Sequence, residues 1–411
     1  TIPGVHIAVK GTSTGFISDK DGNYSLAVSG TDAILVFSYM GYATQEVTVG
    51  DRTVVNVVLY EDSRLLEEVV VVGYGIQKKE NLTGSVVSVD MSTMTDSRPI
   101  TSLSSGLAGL AAGVTVTSGS GGQPGNDGAT IRVRGQGTLN KSDPLVVLDG
   151  VAGGNINDVN PQAVESISVL KDAAPSSLYG SRAANGVILI TTKRGREGTA
   201  RINYHGYLTS ENVASKVPII SNYADYMELI NEGMRNSKQA EPFSQAKINE
   251  WRAAGNSDPI KYPNTDWQDE VFQQAWMQNH TLSVNGGADK LRYFVSGNYL
   301  KNPGVIENSE YQRISARANL DADIKSWFKL GVNVYGYRGK SDVGYGSSSL
   351  QWMGVTTPGW LFRHPDGRYG GVNNSEDVAT GNNPLRALNS RKGNNITNKV
   401  VSRFFGQLKP F

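Results

Sequence analysis

A chain of 411 residues, 38% hydrophobic with 47 glycines, is longer than one ordinary hydrophobic core sustains and predicts several folded units. Its formal net charge of +1 excludes a strongly basic nucleic-acid surface and an acidic tail, and the lack of cysteine excludes disulfides and thiolate metal sites. A mean hydropathy of -0.32 and only short apolar runs exclude a transmembrane helix, which needs ~20 apolar residues, but not membrane-crossing strands, which alternate.

The sequence opens at Thr1 without a signal peptide, so a mature or trimmed form is expected. Residues 1–60 break into short runs, VHIAVK, TGFISD, NYSLAV, AILVFSY, TQEVTV and TVVNVVLY, punctuated by turn residues. Such spacing predicts a small β-sandwich. Asp19-Lys20-Asp21-Gly22-Asn23 begins like a calcium loop but lacks the later ligands and the distal glutamate, so a hairpin turn is expected there. Residues 61–80 form a linker. Within it, RLLEEVVVVGYGIQKKE places four consecutive valines, which favour an extended strand, where no sheet is in sight. Either they close the N-terminal sandwich or they wait to pair with another protein.

Residues 81–195 predict a compact mixed α/β domain. TSLSSGLAGLAAGVTV reads as a short Leu/Ala helix ending near Gly113, then a strand. ATIRVRG and DPLVVLDG follow as strands between polar loops. In AVESISVLKDAAPSSLYGSRAANGVILITTKRG a strand ends at Lys171-Asp172, a short helix with Pro175 in its first turn closes at Tyr179-Gly180, and a second strand runs from Gly186 to Lys193.

Residues 196–411 alternate over longer stretches. Ile202, Tyr204 and Leu208 share one face of RINYHGYLTS, and Arg201, Asn203 and His205 the other. YQRISARANLDAD alternates Ile314, Ala316, Ala318, Leu320 and Ala322 with Arg313, Ser315, Arg317, Asn319, Asp321 and Asp323. HTLSVNGG, KLRYFVSGNYL and WFKLGVNVYGYRG repeat the scheme. Strands of about ten residues, apolar on one face and polar on the other, predict a transmembrane β-barrel rather than a soluble sandwich, and about six can be read. Turns at 286–289 and 324–327 are short, whereas connections near 211–275, 301–310 and 340–398 are long. That parity matches short periplasmic turns and long external loops. SNYADYMELINEG and FSQAKINEWRAAG predict helices in the first long connection.

LEEVVVVGYGIQKKENLTGSV, DPLVVLDGV, ISVLKDAAPSSLYGSRAANGVILITTKRG and MQNHTLSVNGG, in this order, resemble a SusC/RagA-type TonB-dependent transporter of the Bacteroidetes outer membrane. The N-terminal segment resembles a carboxypeptidase-regulatory-like domain, a β-sandwich without catalytic residues. The resemblance implies a mainly β protein: that sandwich, a linker with a TonB box, a plug domain at 81–195, and the first strands of a 22-stranded antiparallel barrel. Six strands cannot enclose a plug, so the chain is expected to be an N-terminal portion. The resemblance further implies TonB-dependent import of an oligosaccharide or peptide, no cofactor, a SusD-like lipoprotein lid, energy from TonB with ExbB/ExbD, and dimers of transporter–lipoprotein pairs. The N-terminal domain would lie in the periplasm and the barrel in outer-membrane lipid.

Under the same resemblance Glu67, Glu68, Val69, Val70, Val71, Val72, Gly73 and Tyr74 are the TonB box, an extended segment that adds to a sheet of TonB. Its backbone supplies the affinity, the valines favour extension and the glycines provide a flexible exit. Loops SGSGGQPGNDG, GQGTLNKSD and AGGNINDVN become plug apices facing the ligand. Gln123, Asn126, Asp127, Gln136, Thr138, Asn140, Lys141, Asn155, Asn157 and Asp158 there offer amide, hydroxyl and charged groups to a hydroxyl- or amide-rich cargo. Arg132, Arg134, Lys171 and Arg182 are candidates for contacts with acidic residues of the barrel lumen. An enzyme is disfavoured: His6, His205, His280 and His364 fall in unlike elements, and neither G-x-S-x-G nor H-E-x-x-H occurs. RGQGT lacks the lysine and helix of a phosphate loop. A ligand-sensing signalling receptor and a surface binding module remain the alternatives.

Overall fold

The structure is a computed structural model that describes the chain except residues 1, 3, 11, 13, 29, 40, 41, 43, 60–68, 73, 74, 79–85, 92, 93, 96–98, 119–122, 137–141, 173–176, 343–345, 372–381, 391 and 409–411. It divides into two compact units, Thr1–Val86 and Val87–Phe411.

In the first unit β1 (His6–Val9), β2 (Gly15–Ile17), β3 (Ile34–Ser38) and β4 (Gln45–Thr48) form one antiparallel sheet in the order β2-β1-β3-β4. Ile7, Leu35 and Phe37 alternate onto its buried face. The expected sandwich is thus built with a difference. NYSLAV and TVVNVVLY cover the core through Tyr24, Leu26, Val28, Val57 and Leu59 as a second layer, but they are not paired as a sheet. Tyr24 Oη, which donates to the carbonyl of Val55 at 2.7 Å, ties the two covering segments together. The Asp19 carboxylate is occupied by the amides of Asp21 and Asn23, which makes the acidic stretch a turn. In the linker, β5 (Val69–Val72) pairs antiparallel with β6 (Gly75–Lys78), with Val69 opposite Lys78 and Val72 opposite Gly75. The valine run is therefore extended, as read, but lies in a hairpin of its own instead of standing free.

The second unit contains an inner domain and a curved wall. The inner domain carries a mixed sheet of β7 (Val86–Asp90), β10 (Leu145–Leu148), β11 (Val151–Ala152), β12 (Val164–Leu170) and β13 (Val187–Thr192), in the order β11-β10-β13-β12-β7. Central β13, Val-Ile-Leu-Ile-Thr-Thr, is apolar on both faces because both are covered. Its core gathers Met91, Leu103, Leu107, Ile131, Ile167 and Ile188, with a hairpin of β8 (Val114–Ser118) and β9 (Ala129–Val133) alongside. The expected Leu/Ala helix is shorter than read. Only α1 (Leu103–Gly106) is helical, since Gly109 and Gly113 take φ of 76° and 74° and break the run. The Pro175 turn lies outside the described residues.

The wall is a six-stranded antiparallel meander of β14 (Gly198–Glu211), β15 (Ala275–Ala288), β16 (Leu291–Asn302), β17 (Tyr311–Lys325), β18 (Phe328–Asp342) and β19 (Asn394–Leu408). Two-residue turns join β15 to β16 and β17 to β18, and the other connections are long, as the alternation predicted. The first long connection folds into α2 (Tyr223–Asn236), α3 (Gln245–Ala254) and α4 (Trp267–Val271); the third contributes α5 (Gly346–Val355) and α6 (Pro384–Ser390). Asn222, Ser244 and Asp266 cap α2, α3 and α4 through side-chain oxygens that accept first-turn amides.

Burial in the wall is inverted relative to a soluble sheet. Outward Ile202 and Phe404 are each 73% exposed and Ile314 62%, whereas inward Arg317 is 4% and Asn319 1% exposed. Apolar-out, polar-in alternation is the solution for strands with hydrocarbon on one side and a polar interior on the other. From Ile314 to Ile324 the outward face of β17 runs about 33 Å at ~3.3 Å per residue. A tilt of ~40° makes this an apolar band of about 25 Å, which fits a bilayer core.

Candidate functional site

The inner domain meets the wall through a buried layer of charge and amide groups. Its centre is the turn between β10 and β11. Leu148 pairs with Val151, and the two intervening residues, Asp149 and Gly150, have φ of 47° and 84°. Two successive left-handed residues make a type I′ hairpin turn, and Asp-Gly is the pair that tolerates it. The turn delivers the Asp149 carboxylate to the end of β13, where it accepts the amide of Thr192 at 2.9 Å and its hydroxyl at 2.8 Å.

From the wall, Arg317 Nη1 donates to the same carboxylate at 3.0 Å and to Thr192 Oγ1 at 3.2 Å. The two charged side chains are 4% and 5% exposed. Asn319, two residues along β17, donates to Thr192 Oγ1 at 2.9 Å and to the carbonyl of Lys193 at 2.8 Å. Arg317 also lies over the ring of Tyr335, its cross-strand neighbour on β18, at 4.8 Å. Arg403 of β19 donates to the backbone carbonyl of Asp149.

Three further ties surround this centre. Arg194, just past β13, lies 3.1 Å from both oxygens of Asp321, which Lys329 approaches at 3.4 Å. Asp158 accepts from Tyr337 Oη at 3.0 Å and pairs with Lys399. Arg313 donates to the carbonyl of Asn157 at 3.1 Å. A cavity of ≈ 50 Å³ remains between the Asp149 turn and β17–β19, bordered by Leu148, Arg317, Tyr335 and Arg403. Breaking one member of a buried pair strands the other at a cost of about 3–5 kcal/mol, whereas water admitted to the whole layer hydrates both. Such an interface is rigid when seated and separable as a unit.

The sequence-predicted apex residues are distributed among several duties. Asn155 accepts the amide of Asn157, and Asn157 accepts from Ser102 Oγ and the amide of Ser104, which fixes the start of α1. Asp158 is a wall anchor, and Asp127 accepts from Thr101 Oγ1 at 2.5 Å. Gln123, Asn126 and Gln136 lie at the surface or half-buried. Thr138, Asn140 and Lys141 lie outside the described residues, as do Glu67, Glu68, Gly73 and Tyr74 of the valine segment.

Of the four basic residues proposed to reach the wall, Arg132 and Arg134 pair with carboxylates of the inner domain itself. Arg132 pairs with Asp143 at 2.6 Å and Arg134 with Asp172 at 2.5 Å, while Lys171 lies beside Gly113 and Arg182 beside Gly153. The polarity is mostly the reverse of that expected: the wall supplies cations and the inner domain carboxylates, Arg194–Asp321 excepted. Reasoning along the chain singled out Arg313, Arg317 and Asp321 as one polar face. Asp149, Thr192, Lys399 and Arg403 were missed, because Asp149 and Thr192 meet across 43 positions and their contacts with the wall, like that of Lys399 with Asp158, span more than a hundred.

The TonB-dependent Receptor Plug Domain family matches residues 78–187, and the CarboxypepD_reg-like domain matches residues 1–71. "TonB-dependent receptor P3" of Formosa agariphila is 40% identical over 343 residues, covering 83% of this chain and 32% of that protein. "TonB-dependent receptor SusC" of Bacteroides thetaiotaomicron is 34% identical over 436 residues, covering 97% of this chain and 40% of that protein. The chain thus spans a third to two-fifths of the length of these relatives. Among solved structures, the RagAB peptide importer in its open-open state superposes with a TM-score of 0.58 at 29% identity, over 67% of this chain and 32% of the other. Its closed-closed state has the same fold, with a TM-score of 0.64 at 21% identity over 80% and 40%.

Proposed function

Because the chain is a SusC-like member of the TonB-dependent receptor family, an outer-membrane β-barrel family, we propose that it forms the plug and the first wall strands of a nutrient importer. The cargo is an oligosaccharide or a peptide. In this reading β14–β19 begin a 22-stranded barrel, the long connections face outward, and the N-terminal domain and hairpin hang in the periplasm. The observation that carries the reading is the contrast across the wall, with an apolar exterior and a buried ionic interior that seats the plug.

TonB, powered through ExbB/ExbD, takes hold of Glu67–Tyr74 by strand addition. The β5–β6 hairpin is no obstacle, since two strands alone are marginally stable in water and open readily. Force on the linker reaches the plug through β7, an edge strand of its sheet, and the plug separates where its contacts are polar and exchangeable with water. Outside, α2–α6 form the platform for a SusD-like lipoprotein lid, and two such pairs make a dimer. Deleting residues 67–74 from the full-length protein should abolish cargo uptake while surface binding stays within about twofold of wild type. Normal uptake by the deletion variant would sink the proposal.

A further inference from the structure

The wall's inner charges are unevenly compensated. Near the short turns they neutralise one another, with Arg292 paired to Asp323 and Lys329 close to Asp321. Farther along, β17 and β19 present Arg313, Arg317, Lys399 and Arg403 on the same inner face, as their registers through β18 require. Among the described residues the carboxylates that pair with this group belong to the plug, Asp149 with Arg317 and Asp158 with Lys399. Arg313 meets the carbonyl of Asn157 and the side chain of Tyr311, and Arg403 the carbonyl of Asp149 and the ring of Phe405, so neither has a carboxylate partner among the described residues. Even with the plug seated, Nε and Nη2 of Arg313 and of Arg317 are buried and have no hydrogen-bond partner among the described residues.

Plug displacement therefore removes Asp149 and Asp158 and leaves a cationic strip with free N–H donors along the vacated path. Between its members stand Tyr335, Tyr337, Asn333 and Asn319, which supply aromatic faces and amides on the same surface. We infer that this strip selects a carboxylate-bearing oligosaccharide as cargo. Arg guanidinium groups recognise planar carboxylates, amides satisfy ring hydroxyls, and tyrosines cover sugar faces. The cargo carboxylates take the places that the plug carboxylates leave, so its passage avoids the cost of uncovering buried cations without a counter-charge. This rests on the import reading above and adds the substrate class to it.

The test is uptake by cells that carry the full-length protein and its energising partners, with three labelled probes. These are oligogalacturonate, its fully methyl-esterified form, and oligoglutamate of similar length. Oligogalacturonate should enter about tenfold faster than the ester, the margin of a charge-assisted over a neutral hydrogen bond. Arg313→Gln with Lys399→Gln should bring the ratio of acid to ester uptake close to one, whatever the change in the ester's own rate. The wild-type pair is informative even if that variant assembles poorly. Equal uptake of acid and ester, or an unchanged ratio in a well-assembled variant, overturns the strip. Entry of oligoglutamate alone overturns the saccharide class. Entry of every probe independently of residues 67–74 overturns the import reading itself.

Discussion

Asp149 concentrates the demands of the interface in one residue. Its backbone must take a left-handed φ of 47°, its carboxylate must accept from Thr192 twice and from Arg317, and its carbonyl must accept from Arg403. Asp149→Asn keeps the volume and the left-handed tolerance and removes only the charge, leaving Arg317 buried beside a neutral amide. Plug seating should weaken by about 3–5 kcal/mol, read as faster amide exchange across β10–β13 with the wall strands unaffected. Adding Arg317→Met should recover most of the loss, because an apolar side chain needs no counter-charge. Exchange in the single variant equal to wild type would show that the pair does not hold the plug. Asp-Gly at the end of DPLVVLDG is a hairpin signal that the reading along the chain passed over as a polar loop. That the Asp149 carboxylate faces a wall arginine 168 positions later was not legible, since nothing local marks the partner.

At the scale of elements, alternation carried the wall and helical periodicity carried α2 and α3, both read within a few residues of their observed limits. The signals failed where hydrogen bonding rather than burial decides. NYSLAV and TVVNVVLY alternate and cover a core yet do not complete a ladder, and the glycines after α1 end a helix that leucine and alanine would extend. α4 and α6 were missed because five and seven residues are too few for a 3.6-residue period to stand out. The α2–α3 pair offers a pH test. Arg252 of α3 bridges Glu228 at 2.9 Å and Asp225 at 3.1 Å on α2, and its hydrogen bond holds the Glu228 carboxyl below the usual range. A depressed carboxyl stabilises the folded state above its unfolded value and loses that contribution as pH falls through the folded one. Corrected amide exchange in α2 and α3 should be constant from pH 7 to 5 and rise from about pH 4.5 downward. Glu228→Gln should flatten the rise. An acid response unchanged in that variant would place its origin elsewhere.

For the whole molecule, the order of units and the apolar-out wall were open to reading because they repeat along the chain. The fit of plug to wall was not, because it is made of single long-range contacts. The proposed import cycle would undo and remake that fit at every turn, and this can be tested with one covalent link. The 411 residues contain no cysteine, and Thr192 of the plug meets Asn319 of the wall at 2.9 Å. Thr192→Cys with Asn319→Cys in the full-length protein sets two thiols across the interface, to be joined by oxidation or by a short reducible bis-thiol linker and followed by uptake before and after reduction, with bond formation scored on the same cells. The account predicts that the linked protein binds cargo but does not import it, and that reduction restores uptake. Undiminished uptake with the link fully formed would contradict it.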